Sequence, residues 1–158
     1  MVFAQFASAT VYFRNSHHTA KLGIILLMQA VKNDDDKRQQ VILFADDDEA
    51  CREVGVKILQ KLGYRVLDAK DGKEAIEIFL KHQKEVNLVI LDMKMPYNGV
   101  TAFYKLKEID ADVKVLIASG YAKDHQIREM MRQGCNGFIQ KPFSVKAISE
   151  KIVSILNK

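Results

Sequence analysis

The sequence predicts an α/β protein whose core is a doubly wound, parallel sheet of five strands within residues 41–158. Two observations carry this prediction. Short apolar segments alternate five times with segments of helical period over this range, which is the order of a repeated βα unit. The strand segments are also apolar almost throughout, as expected for strands that helices cover on both faces.

The predicted strands are short and rich in residues that favour β structure. NLVILD is the most apolar of them, and YRVLDA is the least apolar. In chain order they are VILFAD (41–46), YRVLDA (64–69), NLVILD (87–92), KVLIAS (114–119) and GFIQ (137–140).

The first two predicted helices are recognised by apolar residues three and four positions apart. The first helix, residues 49–62, is followed by Gly63 and carries an apolar row made of Val54, Ile58 and Leu62. The second helix, residues 71–85, presents an apolar face made of Ala75, Ile76, Phe79 and Leu80. Both rows are expected to face the sheet.

The other three predicted helices complete the alternation. One runs from Gly99 to about Ile109, and the next covers residues 124–134 and ends at Gly134. The last helix closes the chain after Ser144, a residue type that commonly caps a helix N-terminus.

Residues 1–40 differ from the rest and are predicted to form a poorly structured N-terminal extension or linker. They show no sustained period, and the apolar run GIILLM is far shorter than the roughly 20 residues needed to span a bilayer. Two origins stay open: Met28 is the true start, or the segment is a remnant of an upstream domain.

Composition argues for a cytoplasmic protein that binds neither nucleic acid nor membrane. The net charge is only +4, and no basic stripe with interleaved aromatics is present. Cys51 and Cys135 lack the spacing of a metal site, so reduced thiols of a cytosolic protein are the favoured interpretation.

Polar side chains follow four of the five predicted strands. Asp46 to Asp48 end the first strand, Asp92 the third, Ser119 the fourth and Lys141 the fifth, whereas Asp68 and Ala69 end the second with nothing comparable. Ligands of open α/β sheets bind at the carboxyl ends of the strands. Strands four and five lie beside strands one and three in a doubly wound sheet, so these groups are expected to converge on one edge.

This combination of groups has a chemical logic. Carboxylates from two neighbouring strands can hold Mg²⁺, which prefers oxygen ligands. A carboxylate can also attack phosphorus and form an aspartyl phosphate, while a lysine and a hydroxyl contact the phosphoryl oxygens. The sequence therefore predicts a cation-assisted phosphoryl-transfer site.

Each group taken alone has a simpler interpretation. Asp46 to Asp48 suit a helix N-terminus, Ser119 suits a strand end, and Lys141 suits a solvated surface. Their joint placement requires several coincidences under that interpretation. Rival motifs are missing from the sequence, including a phosphate-binding G-x-x-x-x-G-K-[ST] loop and an EF-hand loop.

Residues 41–158 resemble the CheY-like receiver domain of two-component response regulators. The resemblance rests on four segments in order, each at a strand end: ADDDEACR with its Arg52, LVILDMKMP, KVLIASGYA and GFIQKPF. It implies a flavodoxin-like sheet of strand order 2-1-3-4-5. Residues 1–40 lie outside it.

The resemblance also implies a role for each site residue. Asp92 is the expected phosphoacceptor, with Ser119 and Lys141 as its catalytic partners. Ser119 and Phe138 are the expected switch pair, and the Lys141–Pro142 peptide is typically cis in this family. The expected metal ligands for Mg²⁺ are Asp47, Asp92, the backbone carbonyl of Lys94 and, through water, Asp46.

Two departures from the family pattern stand out. The loop after Met95-Pro96 is one residue shorter than the common form, and the switch aromatic is Phe138, which has no hydroxyl. Lys94 and Tyr121 are further expected to flank the acceptor and to slow hydrolysis of its phosphoryl group.

The expected function is a self-phosphorylating signalling switch that turns over no external substrate. The phosphodonor is a histidine kinase or a histidine phosphotransfer protein, and the downstream protein target is unknown. The chain ends after the fifth helix, which favours a stand-alone receiver or relay protein. A receiver fragment of a hybrid histidine kinase and a metal-binding structural domain without phosphotransfer are the alternatives.

Overall fold

A computed structural model describes residues 39–120 and 125–157 of the chain. The prediction of a poorly structured extension concerns residues that lie almost entirely outside this described part. Within it, no helix is long and apolar enough to cross a membrane.

Strands and helices alternate throughout the described residues, as the sequence predicts. The strands are β1 (Val41–Ala45), β2 (Arg65–Ala69), β3 (Val86–Asp92), β4 (Val115–Ser119) and β5 (Gly137–Gln140). The helices are α1 (Glu49–Lys61), α2 (Gly72–His82), α3 (Gly99–Ile109), α4 (His125–Arg132) and α5 (Val145–Leu156).

The five strands form one parallel sheet in the order β2-β1-β3-β4-β5, which confirms the predicted flavodoxin-like topology. In the central pair, Ala45 of β1 lies beside Leu91 of β3. Asp92 in turn pairs with Ala118 of β4. This register brings the carboxyl ends of the three central strands to the same edge.

Alternate strand residues feed two hydrophobic layers, one on each face of the sheet. Leu43 packs with Phe79 of α2 and Phe103 of α3 on one face. Ile42 and Phe44 pack with residues of α1 and α5 on the other, among them Leu59, Ile148 and Ile152. Because both faces are covered, the strands need no polar side, which explains their nearly continuous apolar sequence.

The predicted apolar row of α1 is confirmed for Ile58 and Leu62, which pack against the core, and is wrong for Val54. Gly55 and Leu59 are the buried residues of this helix, whereas Val54 is 56% exposed. Gly55 lies where α1 packs closely against the ring of Phe44, and a Cβ at this position would overlap that ring. A buried glycine carries no hydrophobic signal, so periodicity selects its apolar neighbour instead. The apolar face of α2 has a similar exception, because Leu80 is exposed.

Candidate functional site

The carboxyl edge of the sheet brings together most of the residues predicted there. Asp46 follows β1 directly and Asp92 ends the neighbouring β3, so sheet pairing places the two acids side by side. Ser119 ends β4, and its carbonyl accepts a hydrogen bond of 2.8 Å from the Lys141 amide. Asp46, Asp92 and Ser119 are all buried.

Three carboxylates converge at this edge. Asp46, Asp47 and Asp92 each offer one oxygen atom, and these atoms lie within 4.8 Å of one another. Asp46 and Asp92 are buried, whereas Asp47 is exposed on the solvent side. A hard, all-oxygen donor set of this size suits a small cation such as Mg²⁺, which completes its shell with water.

Asp48 does not belong to this carboxylate cluster. Its side chain caps α1 and accepts a 2.8 Å hydrogen bond from the Cys51 amide, and this bond lowers its pKa. Its own amide donates to Asp46 Oδ1 at 3.1 Å. The acidic run therefore divides in two: the first two acids form the cluster, and the third begins the helix.

Lys141 is held against the two buried acids. Its Nζ lies 2.6 Å from Asp46 Oδ2 and 3.2 Å from Asp92 Oδ1, and its side chain is 23% exposed. Burial alone lowers the pKa of this ammonium. The hydrogen bond to Asp46 and the charges of both acids outweigh burial, and the net pKa is raised.

Asp92 has a raised pKa. Desolvation by burial is the largest cause, and the negative charge of Asp46 adds to it. Lys141 and the backbone N–H of Lys94 work in the opposite direction, since both donate hydrogen bonds to the Asp92 carboxylate. A cation that binds near a buried carboxylate of this kind stabilises its charged form.

Arg52 and Asp68 are site residues whose roles the sequence did not reveal. Arg52 donates to the Asp46 carbonyl at 2.9 Å, and its Nε lies 3.5 Å from Asp68 Oδ2. Asp68 is not one of the three converging carboxylates, in agreement with the expectation for β2, and it pairs instead with the guanidinium that holds the end of β1. Only the spacing of Arg52 after the acidic run carried a signal for this tether.

The remaining predicted residues lie nearby. Phe138 is half-buried on β5 and packs against the core, and the Lys141–Pro142 peptide is cis. Lys94 is exposed. It follows Met93, whose amide donates a 3.1 Å hydrogen bond to the carbonyl of Ala118. Tyr121, predicted to flank the acceptor with Lys94, lies outside the described residues.

An apolar groove of about 480 Å³ opens beside the carboxylate cluster. Phe44, Val54 and Ile58 line it on the β1 and α1 side, and Phe143 lines it after β5. Asp46 and Lys141 also line the groove. The groove therefore joins an apolar depression to the charged centre of the site.

Comparison with known proteins agrees with this geometry. The family model of the response regulator receiver domain matches residues 42–153. The chain therefore belongs to the response regulator receiver family. Proteins of this class are signalling switches of two-component systems.

The curated relatives include both short and very long proteins. The chain is 35% identical over 107 residues to the chemotaxis protein CheY of Treponema pallidum, covering 66% of this chain and 74% of that protein. It is 37% identical over 111 residues to the sensor kinase CckA of Brucella abortus, covering 70% of this chain. The chain spans only 12% of that kinase.

Solved structures show the same fold. A response regulator receiver domain protein from Clostridium thermocellum is 27% identical with a TM-score of 0.72, covering 75% of this chain and 94% of that chain. A CheX–CheY–BeF₃–Mg²⁺ complex from Borrelia burgdorferi is 26% identical with the same score, covering 75% and 90%. The receiver domain of the hybrid histidine kinase CckA is 32% identical with a TM-score of 0.62, covering 73% and 98%.

Proposed function

We propose that this protein is a phosphoacceptor switch that takes a phosphoryl group from a histidine kinase or histidine phosphotransfer protein onto Asp92. The supporting observation is the placement of the Asp92 carboxylate between two further acids and the Lys141 ammonium at the edge of the sheet. The switch phosphorylates and dephosphorylates itself and turns over no external substrate.

In this proposal Asp92 is the nucleophile. One of its oxygens attacks the phosphorus, a P–O bond forms, and the P–N bond to the donor histidine breaks. Catalysis of phosphoryl transfer is mostly positioning and charge stabilisation. Lys141 Nζ, 3.2 Å from Asp92 Oδ1, is close enough to pair with an oxygen of the incoming phosphoryl group.

The acidic cluster is the proposed Mg²⁺ site. Asp47, Asp92 and the Lys94 carbonyl would hold the ion directly, and Asp46 would hold it through water. The ion, when bound, supplies positive charge to the phosphoryl oxygens. Asp46 is already engaged with Lys141 and with the Asp48 amide, which suits a role in orienting water rather than in direct ligation.

Signal output is proposed to start from Ser119 and Phe138. A phosphoryl group adds about −1.5 to −2 charge at Asp92. The Ser119 hydroxyl would move toward it, and the half-buried Phe138 would fill the space on the β5 side. The two residues lie on neighbouring strands, since Phe138 pairs with Ile117 and Ser119 with Gln140. Such a local charge change can bias a two-state surface.

The carboxylate cluster gives a direct test of this function. Asp47→Ala should weaken Mg²⁺ binding and slow labelling by acetyl phosphate together, each by about 10- to 100-fold. Asp47 is exposed, so the fold should persist. Mg²⁺ titration by calorimetry and labelling at saturating acetyl phosphate measure the two effects.

Glu49→Ala is the matched control for this experiment. Glu49 is an exposed acid in the first turn of α1, outside the carboxylate cluster. It should bind Mg²⁺ as the parent chain does. A Mg²⁺ titration of Asp47→Ala that superimposes on the parent's would remove Asp47 from the site.

The groove beside the site is the proposed docking surface for the phosphodonor. A phosphohistidine must reach Asp92, and the groove shares Asp46 and Lys141 with the acidic site. Its apolar wall, which includes the exposed Val54, suits the apolar stripe of an amphipathic helix. The proposed occupant is the helix that carries the donor histidine.

Val54→Asp separates protein docking from chemistry. Phosphotransfer from a panel of radiolabelled histidine kinases should fall by at least about tenfold for every kinase that labels the parent chain, because a charge in an apolar contact is costly. Labelling by acetyl phosphate should stay unchanged, since that donor needs no groove. Leu80→Asp, with a side chain equally exposed on α2, is the control. Equal losses in both variants would contradict docking at the groove.

A receiver segment of a hybrid kinase is the second candidate. The match to a region of the sensor kinase CckA favours it, as does the likeness to the CckA receiver structure. In either case residues 1–40 are proposed to lie outside the receiver domain, whose family match begins at residue 42. An uninterrupted upstream reading frame that encodes a kinase core would support the hybrid-kinase hypothesis over the stand-alone receiver.

A further inference from the structure

We propose that Gly72, at the first turn of α2, is a positioning residue for the loop that follows Asp92. Its amide binds the carbonyl of Tyr97 and thereby fixes the β3–α3 loop, residues 93–98, relative to the acidic cluster. The proposal rests on the proposed Mg²⁺ site. It adds a residue that follows β2, a strand that contributes no ligand to that site.

The contact is direct. The Gly72 amide donates a 3.2 Å hydrogen bond to the Tyr97 carbonyl. Gly72 is the first residue of α2 after its N-cap Asp71, so this amide has no partner inside the helix. The loop carbonyl satisfies it and lies at the positive end of the helix dipole.

Only glycine allows this approach. A Cβ at position 72 would overlap the Tyr97 carbonyl oxygen, and it would lie 3.0 Å from Tyr97 Cδ1 and from Ala102 Cβ. The carbonyl is backbone and cannot rotate away as a side chain can. A side chain at this position must therefore displace the loop, α3 or both.

The loop is fixed at its other end as well. The Gly99 amide donates to the Met93 carbonyl at 3.2 Å, and a Cβ at Gly99 would overlap the carbonyl oxygen of Asp92 itself. Between these two points the Lys94 backbone donates to the Asp92 carboxylate. Displacement at Tyr97 is therefore transmitted along a short, closed loop to the groups around Asp92.

The test is Gly72→Ala, with Mg²⁺ affinity as the readout. We expect the dissociation constant for Mg²⁺ to rise about tenfold, the low end for lost support around a metal site. The amide resonance of Lys94 should also shift in the metal-free protein. Gly137→Ala makes the same chemical change in a tightly packed strand, with contacts at 3.3 to 3.4 Å, and should leave both readouts at parent values whatever stability it loses.

A second measurement needs no variant. In the parent chain, the Gly72 amide resonance should move during a Mg²⁺ titration with the same midpoint as that of Lys94. A Gly72 resonance that stays fixed while Lys94 moves would overturn the proposal, and so would parent-like affinity in Gly72→Ala. A parent chain that binds no Mg²⁺ at all would instead remove the proposed function on which the inference rests.

Discussion

Asp92→Asn should abolish phosphorylation while the protein stays folded. The amide has nearly the shape of the carboxylate but is not a nucleophile. Asp46 also contacts Lys141, but it already accepts hydrogen bonds from Lys141 Nζ at 2.6 Å and from the Asp48 amide at 3.1 Å, so we do not expect it to replace Asp92 as the acceptor. Labelling by acetyl phosphate with Mg²⁺ should fall by at least about 10³-fold, the scale of losing a nucleophile. Phosphate-affinity electrophoresis or mass spectrometry measures the loss.

The same variant should also be at least as stable as the parent at neutral pH. Burial raises the pKa of Asp92 in the folded state, so the folded protein holds this proton more tightly than the unfolded chain. Stability from this group is full below the ordinary aspartate pKa and is lost as the pH rises through the raised value. Asparagine does not titrate, so the variant does not suffer that loss. The unfolding free energy of Asp92→Asn should therefore increase relative to that of the parent as the pH rises.

Asp112→Asn is the control for both measurements. Asp112 is exposed before β4, at the opposite end of the strand from Ser119, and its substitution should change neither labelling nor the pH profile. Full labelling of Asp92→Asn would overturn the assignment of the acceptor. An unlabelled parent chain that still binds Mg²⁺ would favour a metal-binding structural domain instead.

The fold was predictable because its main signals are local. Strands covered on both faces need apolar residues at nearly every position, and β1 and β3 show this in the sequence as VILFA and VNLVILD. The ends of such strands meet by topology. The convergence of Asp46, Asp92 and Lys141 therefore followed once the alternation of strand and helix was recognised.

The parts that the sequence did not reveal depend on contacts between distant segments. Asp48 could be assigned to the cluster or to the helix cap until the backbone direction at α1 was known. Arg52 of α1 links the Asp46 carbonyl after β1 to Asp68 of β2, and the Gly72 amide contacts a loop 25 residues later. The spacing of Arg52 after the acidic run was the one signal for the first contact, and neither the partner Asp68 nor the Gly72 contact has a spacing or period that a sequence can display.

One position on the buried face of α1 was missed for a related reason, although Ile58 and Leu62 pack as predicted. Gly55 is buried because helix and sheet approach closely at Phe44, and close approach selects for the absence of a side chain. The exposed Val54 then imitates a core position by its hydrophobicity. Val54, the exposed apolar residue of this helix, lines the groove beside the site.

Lys141→Met should produce the largest combined loss, in both rate and stability. The ammonium contacts two buried acids at 2.6 and 3.2 Å. Methionine keeps the apolar stem but leaves these acids without their cation, which costs about 3 kcal/mol of unfolding free energy at neutral pH. Phosphorylation should slow by about 10²- to 10³-fold, as when one donor to a developing negative charge is removed. Thermal or urea unfolding and acetyl phosphate labelling measure the two losses.

The dependence of this loss on conditions identifies its cause. Without Lys141 the pKa of Asp92 rises further, since the lysine charge and hydrogen bond hold it down in the parent. The stability deficit should therefore shrink as the pH falls through the raised pKa of Asp92, where the carboxyl takes up its proton. Mg²⁺ should stabilise the variant more than the parent, because the ion replaces the missing positive charge between the same carboxylates. Lys146→Met, which removes an exposed lysine 3.9 Å from Glu150, should show neither effect. A stability deficit in Lys141→Met that changes neither with pH nor with Mg²⁺ would mean that the Lys141 side chain acts by packing. It would contradict the ion pairs of Lys141 with Asp46 and Asp92 as the source of the loss.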